Sequence, residues 1–194
     1  MSLALRRWVR IAGVLIIGGV LGAAAVVAST EVNRMTSTDA FCTSCHSMTK
    51  IADEPHFQRS AHRTSSNGVR PSCGDCHIPR SNWFVETYTH AVKGVKDIIS
   101  ENTHDFSDPK VWEAYRIGLA HFVRDEMRSQ DSVTCRSCHD AQAIHPKSER
   151  GRAAHALLRD SRMTCIDCHF NLVHAPVPPR LDFIRGSAIG SAKK

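Results

Sequence analysis

The sequence repeats one five-residue pattern, Cys-x-x-Cys-His, as CTSCH at 42–46, CGDCH at 73–77, CRSCH at 135–139 and CIDCH at 165–169. These motifs use all eight cysteines of the 194-residue chain. Two thiols three positions apart can bond to the two vinyl groups of one porphyrin, and the next imidazole can ligate its iron. The pattern therefore predicts four covalently attached haem c groups. The attachment residues are Cys42, Cys45, Cys73, Cys76, Cys135, Cys138, Cys165 and Cys168, and the proximal ligands are His46, His77, His139 and His169.

Zinc sites and disulfides explain this pattern less well. Four Cys-x-x-Cys pairs could form two four-thiolate zinc sites, but zinc gives no reason for a histidine after every second cysteine. Disulfides within the motifs would explain the even cysteine count, but they would be strained and would also leave the four histidines without a role.

A long apolar segment near the N-terminus predicts a membrane anchor. Arg6, Arg7 and Arg10 precede a charge-free run from Ile11 to Thr30, and the next charge is Glu31. Such a run is long enough to cross a bilayer as one helix. Basic residues before it place the N-terminus in the cytoplasm and the rest of the chain in the periplasm, at the inner membrane. This location agrees with haem c attachment.

A cleaved signal peptide is the alternative, since residues 26–28 are small, but the apolar run is longer than a signal peptide normally needs. Gly18 and Gly22 form a Gly-x-x-x-Gly pair, which leaves a homo-oligomer through the anchor as an option. The formal charge of +6 includes the three arginines before the anchor. Haem propionates would offset the remaining charge, so nucleic acid is not expected as a partner.

The exported part is predicted to be one all-α domain with much irregular structure, built from two dihaem units. Cysteines 42 and 73 are separated by 31 positions and cysteines 135 and 165 by 30, with His62 and His155 each twenty positions after the first cysteine of a pair. This repeat makes both histidines candidate distal ligands. The predicted segments are the cytoplasmic residues 1–10, the anchor 11–30, the haem domain 31–179 and a polar tail 180–194, with a short stalk over 29–35.

Three segments are expected to form helices in this domain. Ser81–Ser100 is amphipathic, and Asp108 and Pro109 form a good N-cap and first-turn pair for the next helix. The third, Ser148–Asp160, surrounds His155 with alanines and leucines. One face of the second helix is expected to pack against haem and neighbouring segments through Trp112, Tyr115, Leu119 and Phe122.

The remaining histidines supply further candidate ligands. An imidazole on each side of the iron gives a six-coordinate haem that transfers electrons without binding a substrate. His174, five positions after His169, joins the candidate distal ligands. At the first motif, Met48 lies two positions after His46 and can reach the iron on the same side, so the choice between the two stays open. Thioether ligation would raise the reduction potential of that haem.

The chain resembles the NapC/NirT family of membrane-anchored tetrahaem cytochromes, which includes NrfH-type proteins. The resemblance rests on the anchor followed by CTSCHSM (42–48), on SAH (60–62), NGVR (67–70) and CGDCHIP (73–79), and on TCIDCH (164–169) ending in His174. It implies Met48 as a ligand of the first haem and His62, His155 and His174 as distal ligands. Arg80 stands where related proteins often have a histidine, so the fourth distal ligand stays open between His90, a partner's residue and none.

The resemblance also implies oxidation of membrane quinol and transfer of its electrons to a periplasmic reductase or cytochrome, in anaerobic or nitrogen-oxide respiration such as denitrification. It places the quinol site beside Lys93, Lys96 and Asp97. Quinol oxidation needs a base and a hydrogen-bond donor next to a haem, and Asp97, Lys93 and His90 offer these on one helix face. A solvated charged face is the alternative for these residues.

Three other functions stay open from the sequence. The ending LVHAP (172–176) resembles the tetrahaem cytochrome of ammonia oxidisers, which implies electron flow from a periplasmic dehydrogenase to quinone. A multihaem reductase acting on a small nitrogen compound would need a five-coordinate haem open to a polar pocket. A purely structural relay would bind another cytochrome without contacting quinone.

We expect the purified, detergent-solubilised protein to carry four covalent haems. Mass spectrometry after acid–acetone extraction should show a polypeptide heavier by four haem masses, because thioether bonds survive removal of non-covalent haem. Two or fewer attached haems with all cysteines intact would contradict the prediction.

Overall fold

In the computed structural model, which describes residues 2–160 and 163–185, every regular element is a helix. This confirms the all-α class for the described part of the chain. The helices are α1 Leu3–Thr36, α2 Asp39–Cys42, α3 His46–Ala52, α4 Pro55–Arg59, α5 Cys73–His77, α6 Trp83–Thr103, α7 Pro109–Ser129, α8 Val133–Arg136, α9 Glu149–Asp160 and α10 Cys165–Cys168. Of the predicted polar tail, residues 181–185 are helical and 186–194 lie outside the described residues.

Helix α1 contains the predicted anchor and is long and apolar enough to cross a membrane. Ser2 caps it by accepting a hydrogen bond from the Leu5 N–H at 3.3 Å. The predicted stalk over 29–35 is not a separate segment, because the helix continues through it to Thr36. No glycine or proline interrupts residues 23–36, so the sequence offers no reason for the helix to stop at the end of the apolar run.

Polar contacts fasten the last turns of α1 to the start of α6. Trp83 Nε1 donates to Ser29 Oγ at 3.1 Å, and Asn33 Nδ2 donates to Thr87 Oγ1 at 2.8 Å. The contacting residue numbers increase in the same direction along both helices, from 29 to 33 in α1 and from 83 to 87 in α6, so α6 runs parallel to the end of α1. The Asn33 side chain is buried. The haem domain is therefore joined to the anchor by directional hydrogen bonds as well as by the chain connection.

The two long helices of the domain begin where local chemistry predicts. Asn82 caps α6 by accepting from the Val85 N–H at 3.0 Å, and α6 extends slightly beyond the predicted Ser81–Ser100. Asp108 caps α7 by accepting from the Lys110 N–H at 2.8 Å, with Pro109 at the first helical position. The N-cap prediction for α7 is therefore confirmed.

The predicted packing face of α7 is only partly buried. Trp112 and Tyr115 pack in an aromatic cluster around the buried Phe106, with ring centroids 5.8 and 4.9 Å from its ring. Leu119 and Phe122 lie further along the same face and are exposed. Lys96 Nζ of α6 lies 6.0 Å from the centroid of the Phe122 ring, and the expectation that this face packs against haem stays a prediction.

Few apolar side chains are buried in the described residues: Phe57, Phe106, Ile166, Val177 and Phe183. An apolar core this small is what the sequence predicts for a short chain with four haems, since the porphyrins would supply buried apolar surface themselves. The polypeptide alone is therefore held together largely by polar contacts.

Arg124 of α7 is the central polar contact for the C-terminal segment. Its side chain is only 4% exposed. Its Nη2 donates to Asn171 Oδ1 and to the Val177 carbonyl, each at 2.8 Å, and its guanidinium lies 5.1 Å from the centroid of the Phe170 ring. These contacts hold the chain on both sides of His174 against α7.

We expect Arg124→Met to destabilise the haem-loaded protein by about 2–4 kcal/mol, because two charge-assisted hydrogen bonds are lost and Asn171 and Val177 keep only their hydrogen bonds to each other. Thermal unfolding followed by circular dichroism measures this. Lys110→Met, at the exposed start of the same helix, is the matched control and should shift stability by less than about 0.5 kcal/mol. Equal stability of the Arg124→Met protein and the wild type would contradict the assignment.

Candidate haem-binding site

The second and fourth motifs each form one capped helical turn. In the second motif, the Ser72 hydroxyl accepts from the Asp75 N–H at 3.2 Å while Asp75 Oδ2 accepts from the Ser72 N–H at 2.8 Å. Thr164 and Asp167 form the same capping box around the fourth motif. A serine or threonine before the first cysteine and an aspartate before the second are thus the sequence signal for this form. The box presents both cysteines on one helix face.

The first and third motifs have a different backbone. Here the helix that carries the first cysteine ends at that cysteine (Cys42) or at the next residue (Arg136), and a turn leads to the second cysteine. Both motifs have serine where the other two have the capping aspartate. After the first motif, α3 begins directly at His46. The four motifs therefore alternate between two local structures.

The motifs lie next to each other in pairs. Helix α2, which carries Cys42, is in contact with α5, which carries Cys73, and the Ile166 N–H of the fourth motif donates to Ser132 Oγ, just before the third motif, at 3.2 Å. Asp39 adds a bridge in the first pair by accepting from the Cys73 N–H at 2.8 Å. This pairing agrees with the two dihaem units predicted from the spacing.

The two pairs meet through the second and third motifs. Helices α5 and α8, which carry the cysteines Cys73 and Cys135, are in contact. The motifs therefore form one continuous series, in sequence order, through the domain.

Each of the three predicted distal histidines faces a motif histidine at the same distance. The ring centroids of His62 and His139, of His174 and His77, and of His155 and His169 are each 6.1 Å apart. Two metal–nitrogen bonds of about 2 Å, plus about 1 Å from each nitrogen to its ring centre, put the centroids of two ligands of one iron roughly 6 Å apart. These residues therefore fit bis-histidine haem, and their ligand roles stay a prediction.

The pairing does not follow the sequence repeat. His155 faces the histidine of the fourth motif, within its own half of the chain. His62, at the equivalent position of the first half, instead faces His139 of the third motif, and His174 from the C-terminal end faces His77 of the second. Equal spacing in the sequence therefore indicated the same kind of role but not the same partner.

Burial lowers the pKa of His77, His169 and His174 and so favours the neutral imidazole, the form that can ligate iron. Burial, and then the neighbouring His174, lower the pKa of His77 to about 4. Burial also lowers the pKa of His174. Within the described part of the chain, the buried Nδ1 atoms of His62 and His174 have no hydrogen-bond partner. His155 Nδ1 lies 3.1 Å from the Gly151 carbonyl, a contact that makes Nδ1 the donor and leaves Nε2 for a metal.

The first motif has no such partner ring among the described residues. His46 is exposed and Met48 is half-buried, so both remain candidate ligands there. Arg80, which stands in place of a possible fourth histidine, forms ion pairs with Asp75 at 3.0 Å and with Glu86 at 3.7 Å. It therefore supports the capping box of the second motif.

The structure places His90 at the end of the anchor helix. Its Nδ1 lies 3.2 Å from Thr36 Oγ1 and its Nε2 lies 3.1 Å from Ser37 Oγ. Gly74 of the second motif approaches the same turn so closely that an added Cβ would lie 2.6 Å from the Ser37 carbonyl oxygen. Both ring nitrogens of His90 are thus engaged in the joint between anchor, α6 and second motif.

The other two predicted quinol-site residues lie further along α6. Lys93 Nζ donates to Glu126 Oε2 at 2.8 Å and to the His77 carbonyl at 3.1 Å, so it links the second motif to α7. The Asp97 side chain is open to solvent, and partial burial nevertheless raises its pKa, opposed by Lys93 and reinforced by Glu101. Their role in quinol oxidation stays a prediction.

Asp97 lies beside the first motif together with Glu101, a residue that the sequence did not single out. Burial, then Glu101 and then Asp97 raise the pKa of the Cys45 thiol. Glu101 follows Asp97 by one helical turn, a spacing too common on solvated helices to have identified it from the sequence alone.

Comparison with known proteins agrees with this arrangement. The model of the NapC/NirT cytochrome c family, N-terminal region, matches residues 5–179. A "probable tetraheme cytochrome c-type" protein of Nitrosomonas europaea is 39% identical over 168 residues, covering 86% of this chain and 70% of that protein. The denitrification system component NirT of Stutzerimonas stutzeri is 31% identical over 164 residues, 84% of this chain and 80% of its own.

Longer relatives also match. The cytochrome c-type protein TorY of Escherichia coli O157:H7 is 36% identical over 175 residues, which cover 87% of this chain but only 46% of TorY. The chain thus spans less than half of that protein. No solved structure shows a significant match.

We expect replacement of His62, His155 or His174 by methionine to change one haem each, because a thioether raises the reduction potential relative to bis-imidazole ligation. From the ring pairs, His62→Met should alter the haem of the third motif, His174→Met that of the second and His155→Met that of the fourth. Electron paramagnetic resonance and a redox titration measure the change.

His145→Met is the matched control for these variants, because His145 is exposed and faces no motif histidine in the described ring contacts. It should leave all low-spin signals unchanged. An unaltered spectrum for any of the three test variants would remove that residue from the ligands.

Proposed function

The chain belongs to the NapC/NirT cytochrome c family, and from this membership we propose that it is a membrane-anchored tetrahaem cytochrome that oxidises quinol and passes electrons to a periplasmic reductase. Relatives of this family that carry the names NirT and NapC support a place in respiratory electron transfer. The anchor is α1, with its arginine-rich start in the cytoplasm and the haem domain in the periplasm at the inner membrane.

The observation that carries the proposal is the set of three imidazole pairs within one continuous series of motifs. Rings 6.1 Å apart suit six-coordinate iron, which exchanges electrons and does not bind a substrate. When bound, the four haems supply one-electron transfer along this series. Burial by the chain's own residues favours the neutral form of His77, His169 and His174, and the fold keeps the motifs adjacent, so that electrons entering at the first motif can leave at the fourth.

Asp97 is the proposed proton acceptor from quinol. A base for this reaction must be open to the substrate and must be near an electron acceptor. The Asp97 carboxyl is open to solvent, and it lies one helical turn before Glu101, which accepts from the Ser47 N–H directly after the first motif at 2.9 Å. Its raised pKa brings it closer to the pH at which a general base works best.

Lys93 and His90 take different parts in this proposal. Lys93 favours the charged form of Asp97 and so sets how readily that carboxylate accepts a proton. His90 lies on the same helix two turns earlier, where Thr36 and Ser37 hold its ring. We assign it to the joint that positions α6 relative to the membrane, and the proton acceptor is Asp97.

We expect Asp97→Asn to slow haem reduction by menaquinol or ubiquinol at least about tenfold, since general-base assistance is typically worth about 10²–10⁴-fold. Reduction by dithionite needs no base and should be unchanged. Stopped-flow absorbance with each reductant measures both. A wild-type rate of quinol-driven reduction in Asp97→Asn would show that Asp97 is a solvated surface residue and not the proton acceptor.

The pH profile gives a second test on the same protein. Below the raised pKa of Asp97 the carboxylate is protonated, so the quinol-driven rate should fall, and this acid limb should be missing in Asp97→Asn. Because Lys93 lowers the pKa of Asp97, Lys93→Gln should move the acid limb to higher pH. Lys110→Gln, at the exposed start of α7, is the control and should leave the acid limb in place.

A further inference from the structure

Helix α3, directly after the first motif, begins without a cap from its own segment. Its N-cap residue is Cys45, whose side chain makes no capping hydrogen bond. A sulfur bonded to a porphyrin vinyl group has no proton and accepts hydrogen bonds poorly, so Cys45 cannot cap this helix. The first N–H groups of α3 therefore need an acceptor from elsewhere in the fold.

Glu101 of α6 supplies that acceptor across 54 positions of sequence. Its Oε1 accepts from the Ser47 N–H at 2.9 Å and from the Ser47 hydroxyl at 2.7 Å. The Ser47 side chain is only 4% exposed, so both hydrogen bonds are shielded from water. Tyr115, which donates to Ser100 Oγ at 2.6 Å, fastens this end of α6 to α7.

The position of Ser47 gives this contact its consequence. Ser47 stands between His46 and Met48, the two candidate ligands of the first haem. Successive residues are rotated by about 100° around the axis of a helix with 3.6 residues per turn. Viewed along the axis of α3, His46 and Met48 therefore lie on opposite sides of Ser47. They are two positions apart and do not share a face. Rotation of α3 about its axis therefore decides which of them reaches the iron.

We propose that Glu101 is a positioning residue that fixes this rotation and thereby selects between His46 and Met48 as the iron ligand of the first haem. With Ser47 clamped to α6, one of the two side chains is held toward the porphyrin and the other is held away from it. Lys50, nearer the other end of α3, donates to the Phe106 carbonyl. Loss of the Glu101 contact therefore releases mainly the first turn, which carries His46 and Met48, and both ligation states become populated. Because a thioether and an imidazole give different reduction potentials, Glu101 also sets the potential at which the first haem accepts electrons.

The inference depends on haem attachment at the first motif and not on the quinol reaction. Oxidised and dithionite-reduced protein, without quinol, is therefore sufficient to test it. A haem count by mass spectrometry on the same samples separates a failure of attachment from a change of ligand.

The experiment compares Glu101→Ala, Glu101→Gln and Ser47→Ala in the full-length, haem-loaded protein by electron paramagnetic resonance and redox titration. We expect Glu101→Ala to give two first-haem species, with their ratio changed at least about tenfold from wild type, which corresponds to about 1.4 kcal/mol. Glu101→Gln keeps an oxygen acceptor and should stay close to wild type. Ser47→Ala keeps only the backbone hydrogen bond and should give a smaller change of the same kind.

Asn102→Ala, one position further on α6, is the matched control; its side chain is exposed and bonds only to its own helix at the Ile98 carbonyl. It should leave every haem signal unchanged. In all variants, the signals of the other three haems should also stay unchanged. A wild-type first-haem signal and potential in Glu101→Ala would overturn the proposal. If Glu101→Ala loses the first haem, the Ser47→Ala variant becomes the test. An unchanged first-haem signal in Ser47→Ala would overturn the proposal, and a shifted signal would support it.

Discussion

The fold depends on one geometric constraint, which is that two imidazoles must face each other across the thickness of a porphyrin plane. Three ring pairs meet it, each with centroids 6.1 Å apart. In two of them the partners come from opposite halves of the chain, His62 with His139 and His77 with His174. As predicted ligand pairs, these crossed pairs connect the two halves, so the two dihaem units could not separate without breaking them. A chain with so few buried apolar side chains gains its cohesion in this way.

Polar contacts take over the structural work that an apolar core performs in other domains. Arg124 holds the C-terminal segment that carries His174, and the capping boxes at Asp75 and Asp167 hold two of the motifs as helical turns. Arg80 and Arg128 in turn bind the other carboxylate oxygen, Oδ1, of these two aspartates. Apart from the exposed Arg80, these groups are buried or half-buried, so the network specifies position as well as contributing stability.

Helix α6 connects the membrane to the first haem motif. Its first turns are bonded to the end of α1, its middle carries Lys93 and Asp97, and its last turn carries Glu101, which holds the segment between His46 and Met48. The proposed proton acceptor and the proposed ligand-positioning residue are thus one helical turn apart. A single rigid element can therefore hold both groups in fixed positions at the place where electrons are proposed to enter.

The sequence alone determined the features that are written in contiguous residues. Four Cys-x-x-Cys-His motifs define haem attachment, a charge-free run defines the anchor, and Asp108 with Pro109 defines the start of α7, because each depends on local spacing or local capping. The dihaem pairing also followed from spacing. The sequence even identified the three histidines that face motif histidines, although their ligand roles stay predictions.

Only the tertiary structure decided which residues meet across long sequence separations. The repeat made His62 and His155 look equivalent, yet His155 faces the fourth motif of its own half while His62 faces the third motif, in the other half, because the chain path between the halves is not repeated. The tertiary structure also places His90 at the joint with the anchor helix and leaves Leu119 and Phe122 exposed. It brings Glu101 to Ser47 across 54 positions of sequence. Periodicity and spacing describe neighbours along one helix or turn, and contacts between separate segments are set by packing that no local pattern records.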